Sequence, residues 1–140
     1  MNESTSEHPM TILVADDEPH IVRVVSFKLK LAGFDVVSAG NGQEAWELVR
    51  DRKIDLVLTD HQMPFLTGLE LAKRMAEHPQ TASIPVLMLT ARGFRLTPIE
   101  LQGAGIVEML DKPFSPRMLI DAVRRALDAS SEGPAAKEAA

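Results

Sequence analysis

The sequence predicts an α/β fold in which a parallel five-stranded sheet is covered by helices on both faces. Three observations lead there. Five short apolar runs alternate with five helix-like stretches, without an internal repeat. The runs are apolar on both sides instead of alternating, as strands buried on two faces must be. Right-handed crossovers align the strand C-termini along one edge, and there several of these runs end in polar groups.

The first strand is read at residues 10–15 and stops at Asp16-Asp17-Glu18. Pro19 suits the first turn of a helix, with Asp17 as the candidate cap. Val22, Val25, Leu29 and Ala32 then recur at helical spacing, with Arg23, Ser26 and Lys30 between them. A valine-rich helix forms weakly alone, so packing must hold it until Gly33 ends it. A second strand is expected at 34–39, followed by a Gly40-Asn41-Gly42 turn. Residues 43–52 align Ala45, Leu48 and Val49, and Trp46 beside that stripe reads as core or rim packing. The third strand, 54–59, leads through Thr59 into Asp60, and Met63-Pro64 stops any extension. A helix at 68–78 turns Leu71, Ala72 and Met75 inward. The fourth strand, 84–90, ends at Thr90-Ala91. Residues 92–96 carry no clear pattern. Thr97-Pro98 reads as a cap followed by a first-turn proline, opening a short helix to about Gly103 that Gly105 breaks. The fifth strand is 106–110, and Asp111-Lys112-Pro113-Phe114 is a turn. Ser115-Pro116 repeats the cap-plus-proline start. The last helix, running to about Ala129, covers the core with Leu119, Ile120, Val123 and Leu127. Residues 1–9 and 130–140 read as flexible tails, the second also as the start of a linker, which leaves 10–129 as one domain.

Composition narrows the function. The chain has 140 residues, 45% of them hydrophobic and 25% charged, with a net charge of −5; this is ordinary for a single globular domain. A mildly acidic balance gives no support for direct nucleic-acid binding. Without cysteine there is no disulfide, thiol chemistry or cysteine-held metal. No apolar run approaches the roughly 18 residues of a spanning helix, so membrane insertion is not expected and the cytoplasm is the expected address.

Asp16, Asp17, Asp60, Thr90 and Lys112 therefore converge on one crevice. Carboxylates held together repel, and a divalent cation is the simplest remedy; oxygen ligands of this kind suit Mg²⁺, with Mn²⁺ as the second choice. Asp17 and Asp60 are the expected direct ligands, Asp16 binds through water, and the Gln62 backbone carbonyl offers another oxygen. An aspartate beside such an ion can attack phosphorus and become an aspartyl phosphate. Lys112 would pair with a phosphate oxygen, or with Asp60 when no phosphate is present. The Thr90 hydroxyl would reach another oxygen, and small Ala91 would leave the site open. Taken singly, each group has an ordinary reading. The acids suit a helix N-terminus, Thr90 a strand end, Lys112 the surface and Asp60 a turn cap. Their coincidence at corresponding strand ends favours a site. His61 is read as exposed and non-catalytic. A cis Lys112–Pro113 peptide is a candidate, because a tight turn there would point the lysine inward.

The segments ILVADDEP, VLTDHQMPFLTG, VLMLTA and LDKPF together resemble the receiver domain of two-component response regulators, over residues 11–129. The resemblance implies a flavodoxin-like, CheY-like three-layer fold with strand order 2-1-3-4-5. It implies Asp60 as phosphoacceptor, Asp16 and Asp17 as the acidic pair, Thr90 as switch hydroxyl and Lys112 as phosphate contact. It also implies a histidine kinase or phosphotransfer protein as donor, and output through the face of helix 4, strand 5 and helix 5. The chain departs from the pattern at Met109, where the family usually has Tyr or Phe, and in a late start of the fourth helix. Expected output is by protein contact, with a downstream target or a second copy of the chain. Arg117, Arg124 and Arg125 are candidates for docking it, or for surface salt bridges. Other readings are an N-terminal receiver fragment of a larger transcriptional regulator or enzyme, a phosphorylation-independent interaction module, and a small Mg²⁺-dependent aspartate phosphohydrolase. A phosphoacceptor, not a turnover enzyme, is the favoured one.

Overall fold

The computed structural model describes residues 9–91 and 93–139; residues 1–8 of the expected N-terminal tail, Arg92 and Ala140 lie outside the described residues. The elements follow the chain as β1 (Thr11–Ala15), α1 (Pro19–Leu31), β2 (Asp35–Ala39), α2 (Gly42–Asp51), β3 (Leu56–Asp60), α3 (Gly68–Glu77), β4 (Val86–Thr90), α4 (Pro98–Gly103), β5 (Ile106–Asp111) and α5 (Pro116–Ala139). The strands form one parallel sheet in the order β2-β1-β3-β4-β5.

The apolar runs split between two cores by the strand period of two. Leu13, Val57 and Met88 face one layer with Ala45, Trp46, Leu71 and Met75. Ile12, Val14, Leu56, Leu58, Leu87 and Leu89 face the other, against Val25, Leu29, Leu119 and Val123. Strands β3 and β4 are buried throughout, whereas the edge strands β2 and β5 are mixed. Trp46 packs at the core rim, 4% exposed, beside the His78 ring at 4.8 Å and under the guanidinium groups of Arg50 and Arg74.

The two cap-plus-proline starts carry the expected chemistry, and Thr67 adds a cap that the residues had not marked. Thr67 and Thr97 each form a reciprocal capping box with the glutamate three residues on, and the Ser115 hydroxyl accepts from the Met118 N–H at 3.1 Å. At α1 the expectation fails. Glu18, not Asp17, occupies the cap position and makes no side-chain cap bond. Its own N–H is taken by Asp16 Oδ1 at 3.0 Å, which turns the chain into the helix one residue later. Helix α5 continues to Ala139 instead of stopping near Ala129, through Gly133 and Pro134, which are poor helix formers. Two of the three arginines considered for docking bind their own chain. Arg125 meets Glu108 at 2.8 Å, and Arg124 reaches the Ala32 carbonyl at 3.4 Å and covers the Phe34 ring.

The β3–α3 loop is held by close backbone approaches. A side chain at Gly42 would collide with the Leu66 carbonyl and Cβ, so α2 meets the loop with nothing between them. At Gly68 a Cβ would lie 2.5 Å from the Asp60 carbonyl oxygen, while the Gly68 N–H donates to the His61 carbonyl at 2.8 Å. Because the obstacle is backbone, Gly68→Ala is expected to destabilise the fold by about 1–3 kcal/mol. Urea unfolding followed by the fluorescence of Trp46, the single tryptophan, measures this; an unchanged midpoint would contradict it.

Candidate functional site

Strand order reverses direction between β1 and β3, and the crevice outside their C-terminal ends is where open α/β sheets bind ligands. A cleft of about 350 Å³ opens there, lined by Asp17, Glu18, Asp60, Gln62, Ala91 and Lys112, with the rings of His61 and Phe94 at its side. Asp16 lies beneath it, 1% exposed.

Lys112 joins the strand ends. Its Nζ lies 3.0 Å from Asp60 Oδ1, 3.3 Å from Asp16 Oδ2 and 3.7 Å from Glu18 Oε1. Its backbone N–H donates to the Thr90 carbonyl at 2.8 Å, which fixes the start of its turn against β4. The Lys112–Pro113 peptide is cis. Burial works against the Lys112 ammonium, but the Asp60 hydrogen bond and the charges of Asp16 and Asp60 outweigh it and hold its pKa above the ordinary lysine value. Asp16 responds in the other sense. Burial first, and then the charge of Asp60, push its carboxyl above the usual carboxylate range, against the lowering by the Glu18 N–H and Lys112.

One carboxylate oxygen each from Asp16, Asp17 and Asp60 lie within 4.8 Å of one another. Three hard oxygen donors at that spacing, one of them an acid that resists ionisation, suit a divalent cation. Asp17 is exposed, so an ion held here would remain open to water on that side.

Thr90 occupies the end of β4, fully buried, and is not among the residues lining the cleft. It donates to Asp111 Oδ1 at 3.3 Å, the residue opposite it in the β4–β5 register. Arg95 Nη1 lies 3.7 Å from the same oxygen. Sequence reasoning did not single out Asp111; its position immediately before Lys112 was the available signal. Glu18, considered only as a helix-start acid, belongs to the lysine's ring of carboxylates. His61, expected to be exposed, is half-buried and stacked on Phe94 with ring centroids 4.4 Å apart. Met109 is partly buried and packs against the same core cluster as Leu96 and Leu101. Beside it on β4 stands Met88.

Comparison with known proteins agrees with this geometry. The family model described as the response regulator receiver domain matches residues 12–124. The chain is 38% identical over 123 residues to the phosphate regulon transcriptional regulatory protein PhoB of Pseudomonas aeruginosa, covering 88% of this chain and 54% of that protein. It is 36% identical over 116 residues to the transcriptional regulatory protein SrrA of Staphylococcus aureus, covering 83% and 47%. The chain thus spans about half the length of these relatives. In structure it is similar to the chemotaxis response regulator CheY4 of Vibrio cholerae, with a TM-score of 0.79 and 32% identity, covering 86% of this chain and all of that one.

The raised Asp16 carboxyl makes a stability claim. A carboxyl that ionises less readily in the fold penalises the folded state; the penalty is absent below the unfolded value of 3.8 and grows as pH rises through the higher folded value. Asp16→Asn is therefore expected to stabilise the chelator-treated protein at neutral pH by about 0.5–2 kcal/mol, with Asp60 still pairing Lys112. The gain should vanish below the unfolded carboxyl value. Urea titrations at neutral and acid pH test it, and a variant less stable than wild type at neutral pH would refute the assignment.

Proposed function

Because this chain belongs to the response regulator receiver domain family, we propose that Asp60 accepts a phosphoryl group from a histidine kinase or a histidine phosphotransfer protein. One observation carries the reading: Asp60, at the end of β3, contacts Lys112 in a cleft shared with Asp17 and floored by Asp16. An Asp60 oxygen attacks phosphorus in line with the donor's imidazole nitrogen. The P–N bond breaks, its electron pair returns to the ring, and an acyl phosphate remains on Asp60. Lys112 exchanges its contact with Asp60 Oδ1 for one with a phosphoryl oxygen. Thr90 exchanges Asp111 for another, and Ala91 leaves it room. Backbone N–H groups after Asp60 and near Ala91 complete the cradle.

The donor set fits Mg²⁺, with Mn²⁺ as its substitute: Asp17 and Asp60 would hold it directly, Asp16 would hold it through water, and the Gln62 carbonyl would add an oxygen. When bound, the ion supplies charge neutralisation at the phosphoryl oxygens.

The phosphorylated chain acts by protein contact on a downstream target at the α4–β5–α5 face. Each of these elements presents one exposed apolar side chain: Ile99 is 80% exposed, Val107 53% and Met118 54%. Such a set suits a protein partner, with a second copy of this chain as the other candidate. Met109, a flexible side chain on β5, stands within that face at the position where the family usually has an aromatic ring. The address that fits this signalling is the cytoplasm; among the described residues no helix is long and apolar enough to cross a membrane.

Incubation with phosphoramidate and Mg²⁺, read by intact mass, is expected to add one phosphoryl group per chain. Asp60→Asn and EDTA treatment should each reduce labelling to background, and small phosphate esters should not be turned over. Equal labelling of wild type and Asp60→Asn would overturn the assignment.

A further inference from the structure

We infer that the stacked rings of His61 and Phe94 form a shield at the mouth of the Asp60 cleft, which restricts water and small phosphodonors and so lengthens the life of the phosphoryl group. The inference rests on the proposed acceptance of that group at Asp60.

Both rings line the same cleft as Asp60 and Lys112. They arrive from different loops, one residue after the acceptor and four residues after Thr90, and stack with centroids 4.4 Å apart at 27°. Neither ring is there by default. The His61 backbone is fixed at both ends, its N–H donating to the Leu89 carbonyl at 3.0 Å and its carbonyl accepting from Gly68 at 2.8 Å. Phe94 is delivered by a turn in which its N–H donates to the Ala91 carbonyl at 3.1 Å, with Gly93 at φ 89°. A positive φ at the third position of such a turn suits glycine. The Phe94 carbonyl in turn accepts from the Arg95 guanidinium at 2.8 Å.

The imidazole serves as a surface. Its Nδ1 is buried and has no hydrogen-bond partner among the described residues, and its ring is stacked on that of Phe94. Ala91 contributes almost no bulk, and the ring pair is the aromatic part of a rim it shares with Glu18, Gln62 and Lys112. In hydrolysis a water oxygen attacks phosphorus, the bond from phosphorus to the Asp60 oxygen breaks, and its electron pair returns to the carboxylate. The water's proton leaves to the released phosphate or to solvent. A small phosphodonor needs the same open approach to Asp60. An apolar pair at that approach slows both. A protein donor can displace Phe94 by contact, because α4 starts only at Pro98 and the segment bearing the ring is not helical.

The test measures two rates in Mg²⁺: labelling by phosphoramidate, and loss of label after the donor is removed. Phe94→Ala and His61→Ala are each expected to raise both rates by roughly three- to tenfold. Phe94→Tyr and His61→Phe, which keep the ring pair, should stay within about twofold of wild type. Damage to the fold would lower labelling, so acceleration of both rates separates a shield from a structural role. Either alanine variant suffices if the other fails to fold. The shield is overturned if label leaves the folded alanine variants no faster than wild type. It is also overturned if His61→Phe loses label as fast as His61→Ala, since imidazole chemistry would then be responsible. Failure of wild type to take any label would instead sink the acceptor assignment on which the shield depends.

Discussion

The C-terminal edge of this sheet depends on one ammonium group. Lys112 spans from β5 to the ends of β1 and β3, where Asp16 and Asp60 would otherwise face each other in a partly desolvated crevice. Opposite charges at such distances attract more strongly away from bulk water than at a surface, but two acids share one cation. The residual strain falls on Asp16, the more buried of the pair, as a resistance to ionisation. Each carboxylate is thereby kept close to the other without being satisfied by it, which is a state prepared for additional positive charge.

The sheet makes that arrangement stiff. Both faces of β1, β3 and β4 are packed, so the strand ends are set by two cores at once. The register that aligns Thr90 with Asp111 also brings the lysine's turn against the Thr90 carbonyl. The Thr90 hydroxyl donates to Asp111, and Arg95 stands beside the same oxygen.

Much of this could be read from the residues. Strand ends, the Thr97-Pro98 and Ser115-Pro116 helix starts, Trp46 in the core rim and Lys112 beside Asp60 follow from periodicity, capping chemistry and charge, which act locally or through the crossover rule. The elements that escaped depend on distant pairings with no repeating signal. Asp111 is the partner of Thr90 only because of the β4–β5 register. His61 looked exposed because it follows a strand and carries a polar ring. Its stacking partner sits in a segment without helical or strand pattern, so no sequence rule joined the two. At α1, Asp16 and Asp17 offer the same side-chain group, and only the turn geometry decides that Asp16 takes the Glu18 N–H. For Arg124 and Arg125 the sequence leaves docking and surface salt bridges as alternatives; the neighbours that decide for their own chain, Ala32 and Glu108, come from α1's end and β5.

The close approach at Gly42 has a consequence for how this scaffold tolerates change. Helix α2 contributes no group to the cleft, yet its first residue rests directly against Leu66, in the loop that continues from Asp60. The position of that loop is therefore gauged by a missing side chain on a neighbouring helix. One residue away, Phe65 is 83% exposed, and its limit is the backbone's, a φ of 72° that disfavours β-branched replacements. Any side chain at Gly42 meets the loop itself, so variation should be more expensive at that small, remote position. Distance from Asp60 is thus a poor guide to which residues hold it in register.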